Sequence, residues 1–149
     1  MIPPSEPQSE ALLLPELTSL QEQIRNMQGI LDQVGSYIFM KDTDGRYTYV
    51  NQGIQELFGT SFENIIGKDS SAFFEPMLVK ELQDNDHRVI TLGETIEKEE
   101  RLSIKGTDEE RIFWAVKKPL RNEQGEIIGL SGISTDITAR KQIENALRE

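Results

Sequence analysis

One histidine, no cysteine, and serines and carboxylates scattered among charge runs are the chemical resources of this 149-residue chain. A nucleophilic triad needs a His paired with a nucleophile and an orienting acid, and His87 is the single His available. Ser131 lies in Gly129-Leu130-Ser131-Gly132, which lacks the glycine spacing of a nucleophile elbow. There is no Gly-x-x-x-x-Gly-Lys loop to cradle phosphates. The carboxylates fall in runs such as Glu97-Lys98-Glu99-Glu100, which read as a solvated strand face or turn. Without Cys there is no disulfide, thiolate catalysis, Cys-ligated zinc or cysteinyl adduct, and the composition suits a reducing compartment. The chain is therefore not expected to be an enzyme, and no metal site is expected.

Charge removes further classes. A formal net charge of −10, with no clustered Lys/Arg, argues against nucleic acid and against an anionic membrane surface. No Lys or Arg precedes Arg25, and the early apolar run, Ala11 to Leu14, is too short for a signal peptide or a membrane span. The expectation is a cytoplasmic segment without direct membrane contact; any anchor of a parent protein would lie elsewhere.

The elements that would position these residues follow from periodicity. Residues 1–12 are proline-rich and polar and read as a disordered leader or linker. Over 13–34, apolar residues alternate at spacings of four and three. Leu17, Ile24 and Leu31 fall at heptad position a, and Leu20, Met27 and Val34 at d. Flanking positions are mostly Gln, so a self-complementary homodimer through this helix is expected. From Gly35 two short strands are joined by Thr43-Asp44-Gly45. Short helical pieces punctuated by Gly59, Gly67 and Pro76 follow, then a helix from Pro76 to about Leu92 stopped by Gly93. The remainder reads as a three-stranded meander with turns at Gly106-Thr107-Asp108 and Gln124-Gly125. Its continuous apolar runs, "IFWAV" and "IIGL", suggest a sheet covered on both faces, by helices on one and the heptad helix on the other.

This order of elements resembles a PAS (Per-Arnt-Sim) sensory domain. "IFMKDTDGRYTYVNQGIQELFG" is similar to the family's first hairpin and following helix, with Asn51 ending the second strand. "IFWAVKKPLRNEQGEIIGLSGISTDITARK" resembles its last two strands and their PAC-type ending. The resemblance implies an α+β fold over 35–137, a five-stranded antiparallel sheet with helices on one face, in a larger bacterial or archaeal signalling protein. It implies a sensory or regulatory module that senses a small molecule, or relays conformational change, to a downstream effector. That effector could be a histidine kinase of a two-component system or a diguanylate cyclase, and its catalysis would lie outside this chain. A ligand-free structural spacer, or a flavin- or haem-bound sensor, are the alternatives. Helical geometry speaks against haem: at about 100° per residue Leu78, Leu82, Asn85 and Val89 share the inward face and His87 points outward, while Leu82 stands where the haem-binding relatives carry their ligand. Flavin photochemistry lacks its Cys, and Ser131 stands where the light-sensing relatives carry Gln.

Asn85, inside the apolar stripe of the long helix, needs a hydrogen-bond partner or a ligand. The small residues Gly129, Ser131 and Gly132 could leave space opposite it, or could simply ease packing. If a pocket exists, its walls are expected to be Phe73, Phe74, Leu78, Leu82, Asn85, Trp114 and Ser131. At the far end, Asp136, Ile137 and Thr138 form the junction to a signalling helix beginning at 138–149, with Asp136 as its N-cap.

Overall fold

The computed structural model describes residues 7–33 and 35–148, with side chains from residue 13 onward. Two compact units are present, one up to residue 34 and one from residue 35.

The first unit is a single helix, α1 (Pro7–Gln33). It takes in residues 7–12, which the sequence reading assigned to a leader. Proline is tolerated at a helix's first position, and Glu10 to Leu14 are strong helix formers; residues 1–6 lie outside the described residues. Pro15 falls inside the helix, where it supplies no N–H to the carbonyl one turn back. Along the expected seam Leu17, Leu20, Ile24 and Met27 are exposed and Leu31 is half-buried; Val34 lies outside the described residues.

The second unit contains β1 (Tyr37–Asp42), β2 (Tyr47–Val50), α2 (Gln52–Phe58), α3 (Phe62–Ile65), a 3-10 turn (Ser70–Ala72), α4 (Pro76–Leu92), β3 (Ile96–Ser103), β4 (Glu110–Arg121), β5 (Ile127–Asp136) and α5 (Thr138–Arg148). The five strands form one antiparallel sheet in the order β2-β1-β5-β4-β3. The β1–β2 turn is built by Asp42, whose carboxylate accepts from the amides of Asp44 (2.9 Å) and Arg46 (3.0 Å), with Gly45 at φ +79°. Asn51 closes the hairpin. Its buried side chain caps α2 by accepting from Ile54 N, accepts from Ile38 N, and donates to the Ser36 carbonyl. One hydrogen-bonding side chain thus fixes the end of β2, the start of β1 and the start of α2.

Alternation decides which face each strand residue takes. Phe39 and Lys41 of β1, Leu130 of β5, Phe113, Ala115 and Lys117 of β4, and Ile96, Glu100 and Leu102 of β3 are buried at alternate positions on the helix side. Across β1 and β5, Phe39 pairs with Gly132 and Lys41 with Leu130. A Cβ at Gly132 would meet the Phe39 ring, and one at Gly129 would meet the carbonyl oxygen of Lys41. These glycines let side chain and backbone close in; they do not open a pocket. Aromatic rings complete the interior, with Phe58 stacked on Phe73 at 4.4 Å and Tyr47 edge-on to Phe73 at 5.9 Å. The apolar void left beside Phe39, Phe58 and Phe113 is about 30 Å³, the space of about one water.

Candidate functional site

Helix α4 supplies the centre of the site. Its buried residues are Val79, Leu82, Asn85, Asp86 and Val89, while His87 is exposed beside Thr91. At 100° per residue this face is turned by about 35° from the one drawn through Leu78, Leu82, Asn85 and Val89. The turn brings a carboxylate, Asp86, onto the sheet, leaves Leu78 half-buried, and keeps His87 outward.

Asp86 is met by two lysines whose strands flank β5. Lys41 Nζ of β1 donates to Asp86 Oδ2 at 2.6 Å and to Ser70 Oγ at 2.8 Å. Lys117 Nζ of β4 donates to Asp86 Oδ1 at 3.2 Å and to Glu100 Oε2 of β3 at 3.0 Å. All four charged residues are buried: Lys117 is 2 % exposed, Lys41 3 %, Asp86 4 % and Glu100 7 %. Taking one such ion out of water costs several kcal/mol, so a group of them survives only with close pairing. Two ammonium groups against two carboxylates cancel, and the shared Asp86 bridges both lysines. The Lys41 ammonium also lies 4.8 Å from the Tyr47 ring centre and 5.6 Å from that of Phe39, a further stabilisation of its charge.

The electrostatics follow from this packing. Burial alone would raise the Asp86 carboxyl, but the charges of Lys41 and Lys117, with their hydrogen bonds, outweigh it and hold the group below the usual carboxylate range. Burial drives the Tyr47 phenol far above its ordinary value, against a hydrogen bond with Ser70 that pulls it down. Tyr47 is therefore a neutral phenol throughout the physiological range.

Above this cluster lies a polar cavity of about 170 Å³, bordered by Asp44 and Gly45 of the hairpin turn, Ser70 of the 3-10 turn, and Gln83, Asp86 and His87 of α4. Buried Ser70 and Asp86 form its floor, so the cavity reaches the ion cluster from solvent. Elsewhere on α4 the Asn85 side chain is buried with its amide nitrogen unpartnered.

The expected pocket residues divide. Phe73, Phe74, Leu82 and Asn85 are buried on the helix side of the sheet and Leu78 packs against them. Trp114 and Ser131 are corrections: each sits between two buried neighbours on its strand, and alternation sends it to the opposite face, where Trp114 is 42 % exposed. Glu100 corrects the reading of its charge run as a solvated face. Glu97 and Glu99 do point away, but Glu100 turns inward to Lys117. Lys41, Ser70, Asp86 and Lys117 were missed, although two steps along β1 from Phe39 and along β4 from Ala115 place both lysines inside. At the other end Asp136 caps α5, accepting from the Thr138 amide at 2.9 Å. Ile137 N donates to the Ile112 carbonyl at 2.8 Å and Ile112 N to Thr138 Oγ1 at 2.9 Å, so β4 holds the root of α5.

Comparison with known proteins agrees with this architecture. Residues 31–142 match the family model described as PAS fold. A diguanylate cyclase of Vibrio cholerae is 35% identical over 129 residues, covering 83% of this chain and 40% of that protein. The methanogenesis regulatory histidine kinase FilI of Methanothrix harundinacea is 29% identical over 118 residues, 79% of this chain and 13% of the kinase. The chain thus spans less than half the length of these curated relatives. Among solved structures, VqmA bound to DPO superposes with a TM-score of 0.67 at 25% identity, over 83% of this chain and 60% of that one.

Two outcomes are expected from the cluster. Lys117→Met leaves Asp86 with Lys41 and Glu100 buried without the cation it is bonded to, and should cost about 3–5 kcal/mol in denaturant unfolding, whereas Lys117→Met with Glu100→Gln, which restores neutrality, should recover most of that loss. Equal losses in both would contradict charge pairing as the organising force. The second outcome concerns acid. A carboxyl lowered in the folded state stabilises fully above its unfolded value, about 3.9, and loses that contribution as pH falls through the folded value. Unfolding free energy of the wild type should therefore fall more steeply below about pH 4 than that of Asp86→Asn; superimposable acid limbs would count against the assignment.

Proposed function

The chain belongs to the PAS family, and on that premise we propose that it is a sensory or regulatory module of a signal-transduction protein. The observation that carries this reading is the buried ion cluster, which meets a solvent cavity at Asp86 and Ser70 and ties α4 to three strands of the sheet. A molecule entering the cavity would compete for the hydrogen bonds of Ser70 and Asp86. Any re-pairing would be felt at once in β1, β3 and β4. At about 170 Å³ the cavity is smaller than ordinary drug-sized sites and suits a small polar ligand.

Input is passed to an effector through α5 and through a homodimer formed by α1. The module performs no catalysis itself; activity belongs to an effector of the kind found in the relatives, a kinase or a diguanylate cyclase. The complex of VqmA with DPO supports a small-molecule input by analogy. In this reading the module works without flavin or haem: exposed His87 and Leu82 at the inward position of α4 speak against a haem ligand, and the chain has no Cys for flavin photochemistry. Among the described residues no helix is long and apolar enough to cross a membrane. In this reading the module is cytoplasmic, and a net charge of −10 without clustered Lys/Arg speaks against nucleic acid or an anionic membrane as its partner. A second reading, a ligand-free spacer, draws on the filled apolar interior, whose void holds about one water.

Native mass spectrometry of protein purified from cells, followed by a screen of small polar metabolites, separates the two. The wild type should retain or acquire a molecule that Gln83→Trp, which fills the cavity from the α4 side, does not bind. A wild type that binds nothing favours the spacer. For the dimer, Leu20→Asp with Leu31→Asp should shift sedimentation towards monomer, because a charge at a seam position must be desolvated; unchanged sedimentation would remove α1 as the interface.

A further inference from the structure

Glu99 and Glu100 are consecutive residues of β3, so their side chains leave the sheet on opposite faces. Glu100 points towards α4 and accepts from Lys117 of the buried cluster at 3.0 Å. Glu99 points the other way and accepts from Lys141 Nζ, near the start of α5, at 2.6 Å. Helix α5 has little else to hold it. None of its described side chains is buried, and its apolar Ile143 and Leu147 are 62 % and 82 % exposed. Its root is fixed at Ile112 of β4, and Arg111 reaches Asp136 at 3.4 Å just before the helix.

Lys141 also has a second carboxylate within reach, Glu144 Oε2 of its own helix at 3.5 Å. One ammonium thus stands between an acceptor on the sheet and an acceptor on the helix. Arg140 holds Glu144 at 3.3 Å and supplies a partner for it in either arrangement. Both carboxylates lie within ion-pair reach of this one ammonium, so a displacement of Glu99 away from it favours the contact with Glu144.

We infer that the Glu99–Glu100 pair is a two-sided coupling element that links the pairing state of the buried cluster to the seating of α5 on the sheet. When the cluster re-pairs, Glu100 moves with Lys117. The shared backbone carries Glu99 with it, and Lys141 passes from the sheet to Glu144. This rests on the regulatory reading above and names its route.

The test is a double-mutant cycle read by amide hydrogen exchange along α5 in the full chain, with exchange in β4 and β5 as the control for an intact fold. Glu100→Gln should speed exchange in α5 by about two- to fivefold, the range an exposed ion pair supports. In a Glu99→Gln background the same change should have no further effect. Where Glu100→Gln does not fold, Glu100→Asp, which withdraws the carboxylate by one methylene and keeps its charge, enters the same cycle. An equal response of α5 in both backgrounds overturns the route through Glu99 and leaves the regulatory reading standing. No response of α5 to either variant, or to Lys117→Met with Glu100→Gln, overturns both.

Discussion

Lys41 and Lys117 lose almost all contact with water, and the carboxylate that reaches both of them is Asp86. That constraint shapes the globular unit. Either lysine without the aspartate would be an unpaired charge in a packed interior, and the aspartate with one lysine would leave Glu100 to neutralise the other. The four groups come from β1, β3, β4 and α4, so cancelling the charges also sets the helix over the sheet at one rotation and one height. Buried ion pairs are commonly no more stabilising than hydrocarbon of equal volume. What this cluster supplies is register: sliding α4 by one turn would separate Asp86 from both lysines together.

The surrounding packing serves the same end. Gly132 admits the Phe39 ring over β5, and that ring with Tyr47 borders the Lys41 ammonium. Ser70, brought in by the 3-10 turn, accepts a further hydrogen bond from Lys41 and hydrogen-bonds with Tyr47. The cluster is thus sheathed by aromatic rings on one side and opened to the polar cavity on the other. β3 carries its influence across the sheet, since a strand is one element with two faces and Glu99 is bonded to α5 where Glu100 is bonded to Lys117.

Much of this fold was legible in the sequence. The Asp44-Gly45 turn, Asn51 at the end of β2, Pro76 and Gly93 at the ends of α4, and Asp136 before α5 are local signals, each with a local physical cause, and each stands where the pattern placed it. The site was less legible because its logic is non-local. Asp86 drew no assignment, since a face drawn through Leu78, Leu82, Asn85 and Val89 cannot show a carboxylate whose partners lie 45 and 31 residues away. Trp114 and Ser131 were drawn inward by residue type, large and aromatic or small and polar, when the period of two sends them out. That same period, followed through Phe39 to Lys41 and through Phe113 and Ala115 to Lys117, would have put both lysines inside. Glu100 was hidden by its company: three of four residues in its run are exposed or half-exposed, and only pairing across the sheet distinguishes the fourth.

The central claim is that Lys41 and Lys117 are charged, dehydrated and locked to Asp86 in the folded protein. Nitrogen-detected NMR of lysine-labelled protein at neutral pH tests it most directly. Two ammonium resonances should stand apart from the rest, with protons in slow exchange with water, and each should be lost in the corresponding Lys41→Met or Lys117→Met variant. Lysine ammonium protons that all exchange at the rate of solvent-exposed side chains would contradict the account.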